Sequence, residues 1–330
     1  MSKAAELAAL IGSQTALSNK NLIINGAMQI NQRNATTTAT GYTLDRFLIA
    51  KSNFDELVIA VTQDADNPSG NGFSNSLKVA VTTAESAQAS DEVMYLETKL
   101  EGQNVQQLAY GTSNAKSVTL SFWVKSPVAG KHSILFYQPT GPRSNLQSYT
   151  VSSANTWEYK TITIDGDTSG NIANDNTEEF NVFWPLSAGT DFTGTPHTGW
   201  GAYSGTDDFA HSDSVNIAAQ IGNFFLTGVQ LEVGEQATPF EHRSIGDELA
   251  RCQRYFCKTT QVRYSSTGAT YNYVNWEFPV EMRTNPTIGG NVTGTADGVF
   301  TDAASRYSAG SSYAKFGANS TTPATADAEL

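Results

Sequence analysis

The stretch SVTLSFWVKS, residues 117 to 126, limits the fold of this chain more than any other. Val118, Leu120, Phe122 and Val124 alternate with Thr119, Ser121, Trp123 and Lys125. A period of two over a full strand length puts the two sets on opposite faces of a pleated sheet, so one face is core. The same rhythm runs through YTLDRFLIA, ELVIAVTQ, SLKVAVTT, VMYLETKL, KHSILFYQ, EYKTITI, EFNVFWPL and NIAAQIGNFFLTGVQLEV, and it begins at NLIINGAMQI. Asn, Asp, Pro or Gly bound these runs, as turns between short strands require. Parallel strands need crossover helices, and no helical pattern separates the runs. Roughly nine or ten strands therefore predict an all-β, antiparallel jelly-roll β-sandwich over residues 21 to 240.

Three flanking pieces have a different character. Residues 3 to 11, KAAELAALI, set Leu7 and Ile11 on one stripe of a short helix, which is too short to persist alone in water and must dock on something. With the polar hinge that contains Leu17, residues 1 to 20 read as an attachment peptide. Near residue 240 the sequence turns at Thr238-Pro239-Phe240, and Ser244 stands where a cap belongs. IGDELARCQRYF then offers Ile245, Leu249, Cys252 and Phe256 at helical spacing, giving a linking helix over 241 to 257. Residues 258 to 330 predict a small C-terminal β domain that opens with a hairpin over 260 to 282. Leu7, Ile11, Leu17, Leu249 and Phe256 are the candidate anchoring and assembly residues.

The 330 residues carry 20 basic and 32 acidic side chains, a net charge of −12. That balance repels phosphate backbones and argues against nucleic acid as a partner. The sequence lacks an apolar run of about 18 residues, so no membrane insertion is expected. Cys252 and Cys257 lie in the stretch read as helix, where their side chains diverge, and are expected as free thiols. Their spacing lacks the pattern of a zinc site. No metal and no cofactor are assigned. DGDTSG, 165 to 170, matches early positions of a calcium loop, but Asn176 stands where the bidentate Glu belongs, so the segment reads as a β-turn.

Candidate binding chemistry is concentrated in the segment from Asp191 to Ser214. Its aromatic residues suit the apolar faces of sugars, and its carboxylates suit their hydroxyls. Trp200, Tyr203, Asp207, Asp208 and His211 are the glycan-binding candidates; the alternative for Trp200 is a structural one, in which it tucks into the sandwich end and holds the loop. No G-x-S-x-G, H-E-x-x-H or phosphate-loop motif occurs, and no catalytic residue is assigned.

Several of these segments resemble a family of bacteriophage virion proteins common in phages of marine bacteria and cyanobacteria. The segments are NLIINGAMQINQR, GYTLDRF, SFWVKSPVAG, TITIDGDTSG and TGVQLEVGEQATPFEHRSIGDELARCQRYF, followed by Phe278, Val280, Met282, Arg283, Pro286 and Thr287. The resemblance spans roughly residues 1 to 290. It implies a carbohydrate-binding-module-like jelly roll and a tail-fibre or receptor-binding role on the virion, which is assembled in the host cytoplasm. The implied partners are other tail or capsid proteins, further copies of the chain in a homotrimer, and a host surface glycan. A head decoration protein without glycan binding is the alternative, and a glycan-degrading depolymerase a lesser one. In a jelly roll the first and last strands meet, so NLIINGAM and FFLTGVQLEV are expected side by side.

Overall fold

The computed structural model describes residues 19–34, 36–258, 275–284, 286–289, 313–315 and 325–330. The N-terminal helix with Leu7, Ile11 and Leu17, and most of the hairpin expected over 260 to 282, lie outside the described residues. The chain divides into two compact units, Met1–Arg243 and Ser244–Leu330.

The first unit contains β1 (Gly41–Leu44), β2 (Phe47–Ser52), β3 (Val58–Asp64), β4 (Ser76–Thr83), β5 (Val93–Glu101), β6 (Val118–Lys125), β7 (Gly130–Gln138), β8 (Arg143–Val151), β9 (Glu158–Ile164), β10 (Glu178–Ala188), β11 (Gly201–Ala202) and β12 (Gly222–Val233). One sheet has seven strands in the order β1-β2-β5-β10-β7-β8-β11, and the other five in the order β3-β4-β12-β6-β9. The pairings are antiparallel, which makes this unit an all-β sandwich. Val118, Leu120, Phe122 and Val124 are all fully buried, as their alternation requires. Phe122 meets Tyr149 and Trp184 edge to face, with ring centroids 5.1 and 5.9 Å away, so side chains from both sheets interlock. Such aromatic contacts add about 0.5–1.5 kcal/mol each to area burial.

Two strand expectations change. NLIINGAMQI is not a strand: Asn25 and Met28 take positive φ, 60° and 55°, and the segment turns. It still lies along β12, where Leu22 N donates to Leu231 O at 2.8 Å and Val229 N to Gly26 O at 2.9 Å. Gly26 has no substitute there, since a Cβ would stand 2.0 Å from the Val229 carbonyl oxygen. From the other end of the unit, Glu241 accepts from the backbone of Asn21 at 2.8 Å, and the Arg243 guanidinium donates to the carbonyls of Asn21 and Ile23. The NLIIN and FEHR motifs are thus halves of one closure. The second change is β8, RSNLQSYTV, which has no apolar stripe to announce it.

In the second unit Ser244 caps helix α1 (Ile245–Gln253), its Oγ accepting from Asp247 N at 3.2 Å. The helix is shorter than expected. After Gln253 the chain extends into β13 (Phe256–Lys258), so Phe256 and Cys257 belong to a strand. The apolar stripe holds in part: Cys252 and Phe256 are buried and Leu249 is half-buried, but Ile245 is 60% exposed and Glu248 is buried. Phe256 is buried, which removes it as an exposed anchoring contact. Both cysteines are free thiols and buried, and burial pushes the Cys257 thiol up to about 12.

Among the described residues of this unit, strands β14 (Asn275–Glu277), β15 (Thr287–Gly289), β16 (Tyr313–Lys315) and β17 (Thr325–Asp327) form, with β13, a sheet β13-β17-β15 and a pair β14-β16. Residues 278–284 form no strand, yet Phe278 and Met282 are buried and Arg283 Nε donates to Ala328 O at 2.8 Å. No helix among the described residues is long and apolar enough to cross a membrane.

Candidate functional site

Register decides which side chains share the outward face of the seven-stranded sheet. Leu48, Glu97, Phe183, Leu135 and Leu146 form one cross-strand row through β2, β5, β10, β7 and β8. Lys99, Asn181, Tyr137 and Ser144 form the next, and Tyr95 lies on the far side of Glu97. The β10–β12 connection folds over part of this face. Phe209 packs edge-on against Tyr95 and Phe183 at 5.2 and 5.9 Å, and Tyr203 against Tyr137 at 4.9 Å.

Beside that cover, three half-buried tyrosines, Tyr95, Tyr137 and Tyr203, border a polar cluster. Asn181 Nδ2 donates to Glu97 Oε1 at 2.9 Å, and Lys99 Nζ to Glu178 Oε2 at 2.9 Å. Asn181 Oδ1 is buried without a hydrogen-bond partner. Burial raises the Glu97 carboxyl to about 7; Glu178 adds to the rise, while Lys99 and Asn181 oppose it. Burial, with Glu97 and Glu178 adding, also pushes the Tyr95 phenol up to about 12, so it keeps its proton as a donor at neutral pH. The phenols, the Lys99 ammonium and the Glu178 carboxylate therefore meet on a surface with aromatic walls, with Glu97 and Asn181 buried beneath it.

The candidates from the 191–214 segment go to different places. Tyr203 joins the tyrosine face. Trp200 walls a cleft of about 410 Å³ with Arg143, Gln147 and Asp165; its indole N–H donates to Asp165 O at 2.8 Å, and its ring packs edge-on against Tyr110 at 5.7 Å. It both braces the sandwich end and lines a cleft. His211 lines a different pocket of about 260 Å³ with Ser90 and Ser187. Burial, aided by Lys131, holds its imidazole below the ordinary range.

Asp207 and Asp208 brace the loop. Asp207 accepts from Ser204 Oγ at 2.6 Å, which lowers its carboxyl below the usual range. Asp208 is buried and accepts from Ser204 N at 2.7 Å and Ser144 Oγ at 3.3 Å, with His197 Nδ1 3.0 Å from its other oxygen. That corrects the expectation of Asp208 as a glycan contact, because no face of it is left for a ligand. Ser144, His197 and Asp208 are in contact, but Ser144 is fully buried and its hydroxyl donates to Asp208. His197 Nε2 lies 2.9 Å from the Ser144 carbonyl oxygen and 3.5 Å from its hydroxyl. A serine nucleophile needs the reverse, an accessible hydroxyl held by the imidazole. The group ties the connection to β8.

In the DGDTSG turn, Asp167 pairs with Arg143 through both carboxylate oxygens and accepts from Ser169 N at 3.0 Å, which keeps its carboxyl below the usual range. Among the described residues no group of three or more His, Cys, Asp or Glu is placed to hold a metal ion.

No family model and no curated protein sequence matches the chain. Among solved structures, the chain is similar to the enzymatically active domain of bacteriophage CBA120 tailspike protein 4, at 11% identity and a TM-score of 0.37, over 65% of this chain and 22% of that one. The chain thus spans about a fifth of the tailspike structure. It is also similar to the family 11 carbohydrate-binding module of a Clostridium thermocellum cellulase, at 13% identity and a TM-score of 0.31, over 62% and 97%. A Bacteroides thetaiotaomicron protein proposed to bind sugar shows 13% identity and a TM-score of 0.34, over 65% of this chain and 100% of that one.

Proposed function

We propose that this chain is a bacteriophage virion surface protein of the tail-fibre or receptor-binding kind, and that it binds a host saccharide on the tyrosine face of its sandwich without cleaving it. The observation that carries the binding role is the meeting of half-buried Tyr95, Tyr137 and Tyr203 with Lys99 and Glu178 on one outward sheet face, over the buried Glu97 and Asn181. Aromatic rings cover the C–H faces of a sugar, and the polar groups match its hydroxyls. The virion role rests on the sequence motifs that bracket the sandwich. Attachment through residues 1 to 20, and association into a homotrimer, belong to the same proposal.

Labelled protein applied to host cells tests the binding role. Wild type is expected to stain them, and Tyr137→Ala with Tyr95→Ala to lose most of the staining while remaining folded. Undiminished staining by the double variant rejects this face. Copy number in purified particles tests the location: about a dozen or two supports the tail, and hundreds would indicate a head protein.

A further inference from the structure

The outward face of the five-stranded sheet holds a groove of about 540 Å³. The alternation that sends Phe122 and Val124 inward sends Trp123 outward, directly opposite Tyr159 on β9, with ring centroids 5.4 Å apart. Tyr159 is 44% exposed and, with Trp123, makes a contiguous aromatic pair rather than a lone exposed ring. The register between β12 and β6 shifts from Thr227 to Gln230, and Gly228 sits in that bulge at φ +63°. A Cβ there would come within 2.7 Å of the Phe73 ring and 3.1 Å of Trp123 Cδ1, so the bare glycine lets both rings close over the backbone. The opposite wall is itself aromatic: Phe240 packs edge-on against Phe73 at 5.0 Å and against His242 at 4.9 Å.

None of the groove's lining residues is an acid or a base; Ser121 and Asn71 supply hydroxyl and amide groups beside the aromatic rings, while the Thr238 hydroxyl is held by Glu232 and Lys20. The volume suits a small ligand, whereas a stable protein partner needs roughly 800 Å² of contact surface on each side. An uncharged lining within a chain of net charge −12 disfavours a polyanionic saccharide. Preformed aromatic walls with hydroxyl and amide groups fit the C–H faces and hydroxyls of pyranose rings.

We propose that the groove between Trp123, Tyr159 and Phe240 is a second saccharide site, one that takes neutral pyranose units. It lies on the other sheet from the tyrosine face and works without it. The test is calorimetric and fluorescence titration of the full chain with neutral gluco-, galacto- and manno-configured tetra- and hexasaccharides. The expected result is a change in tryptophan emission with at least one of them. Trp123→Ala and Tyr159→Ala should each weaken that binding by about tenfold or more, and Tyr137→Ala should leave it intact. Trp123→Phe, which keeps the packing on Gly228, should retain part of the affinity; Tyr159→Ala, at an exposed position, guards against loss of folding. The proposal is overturned if no saccharide in the panel binds. Equal affinity of Trp123→Ala and wild type also overturns it. A third contrary result is self-association of the wild type that Trp123→Ala abolishes, since the groove would then be a contact between copies. Binding lost only in Tyr137→Ala rejects this site and leaves the tyrosine face standing.

Discussion

The two outward faces of the sandwich depart from the polar-out rule in different ways. On the seven-stranded sheet the apolar outward residues, Leu135, Leu146 and Phe183, are roofed by Phe209 and Phe192 from the β10–β12 connection, and the polar cluster lies beside the roof. On the five-stranded sheet Trp123 and Tyr159 line an open groove, and the neighbouring Phe225 is shielded by the ammonium groups of Lys125 and Lys78, 5.0 and 5.9 Å from its ring centre. An outward aromatic residue thus belongs either to a local second core or to a surface available to ligand. Sequence alternation treats the two alike, and only the fold of the connecting loop separates them.

The sharpest way to break the comparison is Phe209→Ala. Removing a buried ring from the roof is expected to cost about 3–5 kcal/mol in urea unfolding. It should also open the β10–β12 connection to protease while leaving the emission of Trp123 unchanged. Equal protease sensitivity would mean the roof does not depend on Phe209.

Next in size is a pH effect that sets the two faces of the seven-stranded sheet against each other. Outward Glu97 has its carboxyl raised by burial to about 7, so the folded state holds its proton longer than the unfolded one, and this contribution to stability is lost as pH rises from about 4.5 to 7. Inward His132, stacked on Tyr149 at 5.0 Å, is lowered by burial to about 4. Its contribution is present above about 6.5 and is lost as pH falls toward 4. Each is on the order of 3 kcal/mol, with opposite sign over nearly the same window. Glu97→Gln should therefore uncover a steep loss of stability on acidification that the wild type masks, measured as thermal midpoint against pH. Parallel profiles for variant and wild type would refute the opposition.

Gly228→Ala tests the open face. A side chain at positive φ against Phe73 is expected to cost about 2 kcal/mol and to displace Trp123, visible in its emission. Smallest is Tyr159→Ala, expected to change stability by less than about 0.5 kcal/mol. A larger loss would show that the groove is held together by Tyr159 rather than offering it to a ligand.

How much was legible follows from where periodicity exists. In β6 every second residue is apolar, and those residues are the core. In β8 the inward set is Arg143, Asn145, Gln147, Tyr149 and Val151; only the last two reach the apolar core, while the first three border the cleft beside Trp200, so the strand carries no full apolar stripe. NLIINGAM has a strand's composition, but positive φ at Asn25 and Met28 bends it into a turn. The helix ends at Gln253, so Phe256 is buried from a strand and not from the helical stripe to which its spacing assigned it. Of the tyrosine face only Tyr203 stood in the segment picked out for its composition. Tyr95, Glu97, Lys99, Tyr137 and Asn181 come from three strands that are distant in sequence.

The sequence alone determined the two-layer β architecture, because a period of two assigns each strand residue to a face using only its immediate neighbours. The tertiary structure decided which outward residues meet, which are roofed and which remain open, because those outcomes depend on cross-strand register and on the path of one long connection. Both are set by contacts between residues tens of positions apart, for which local patterning carries no signal.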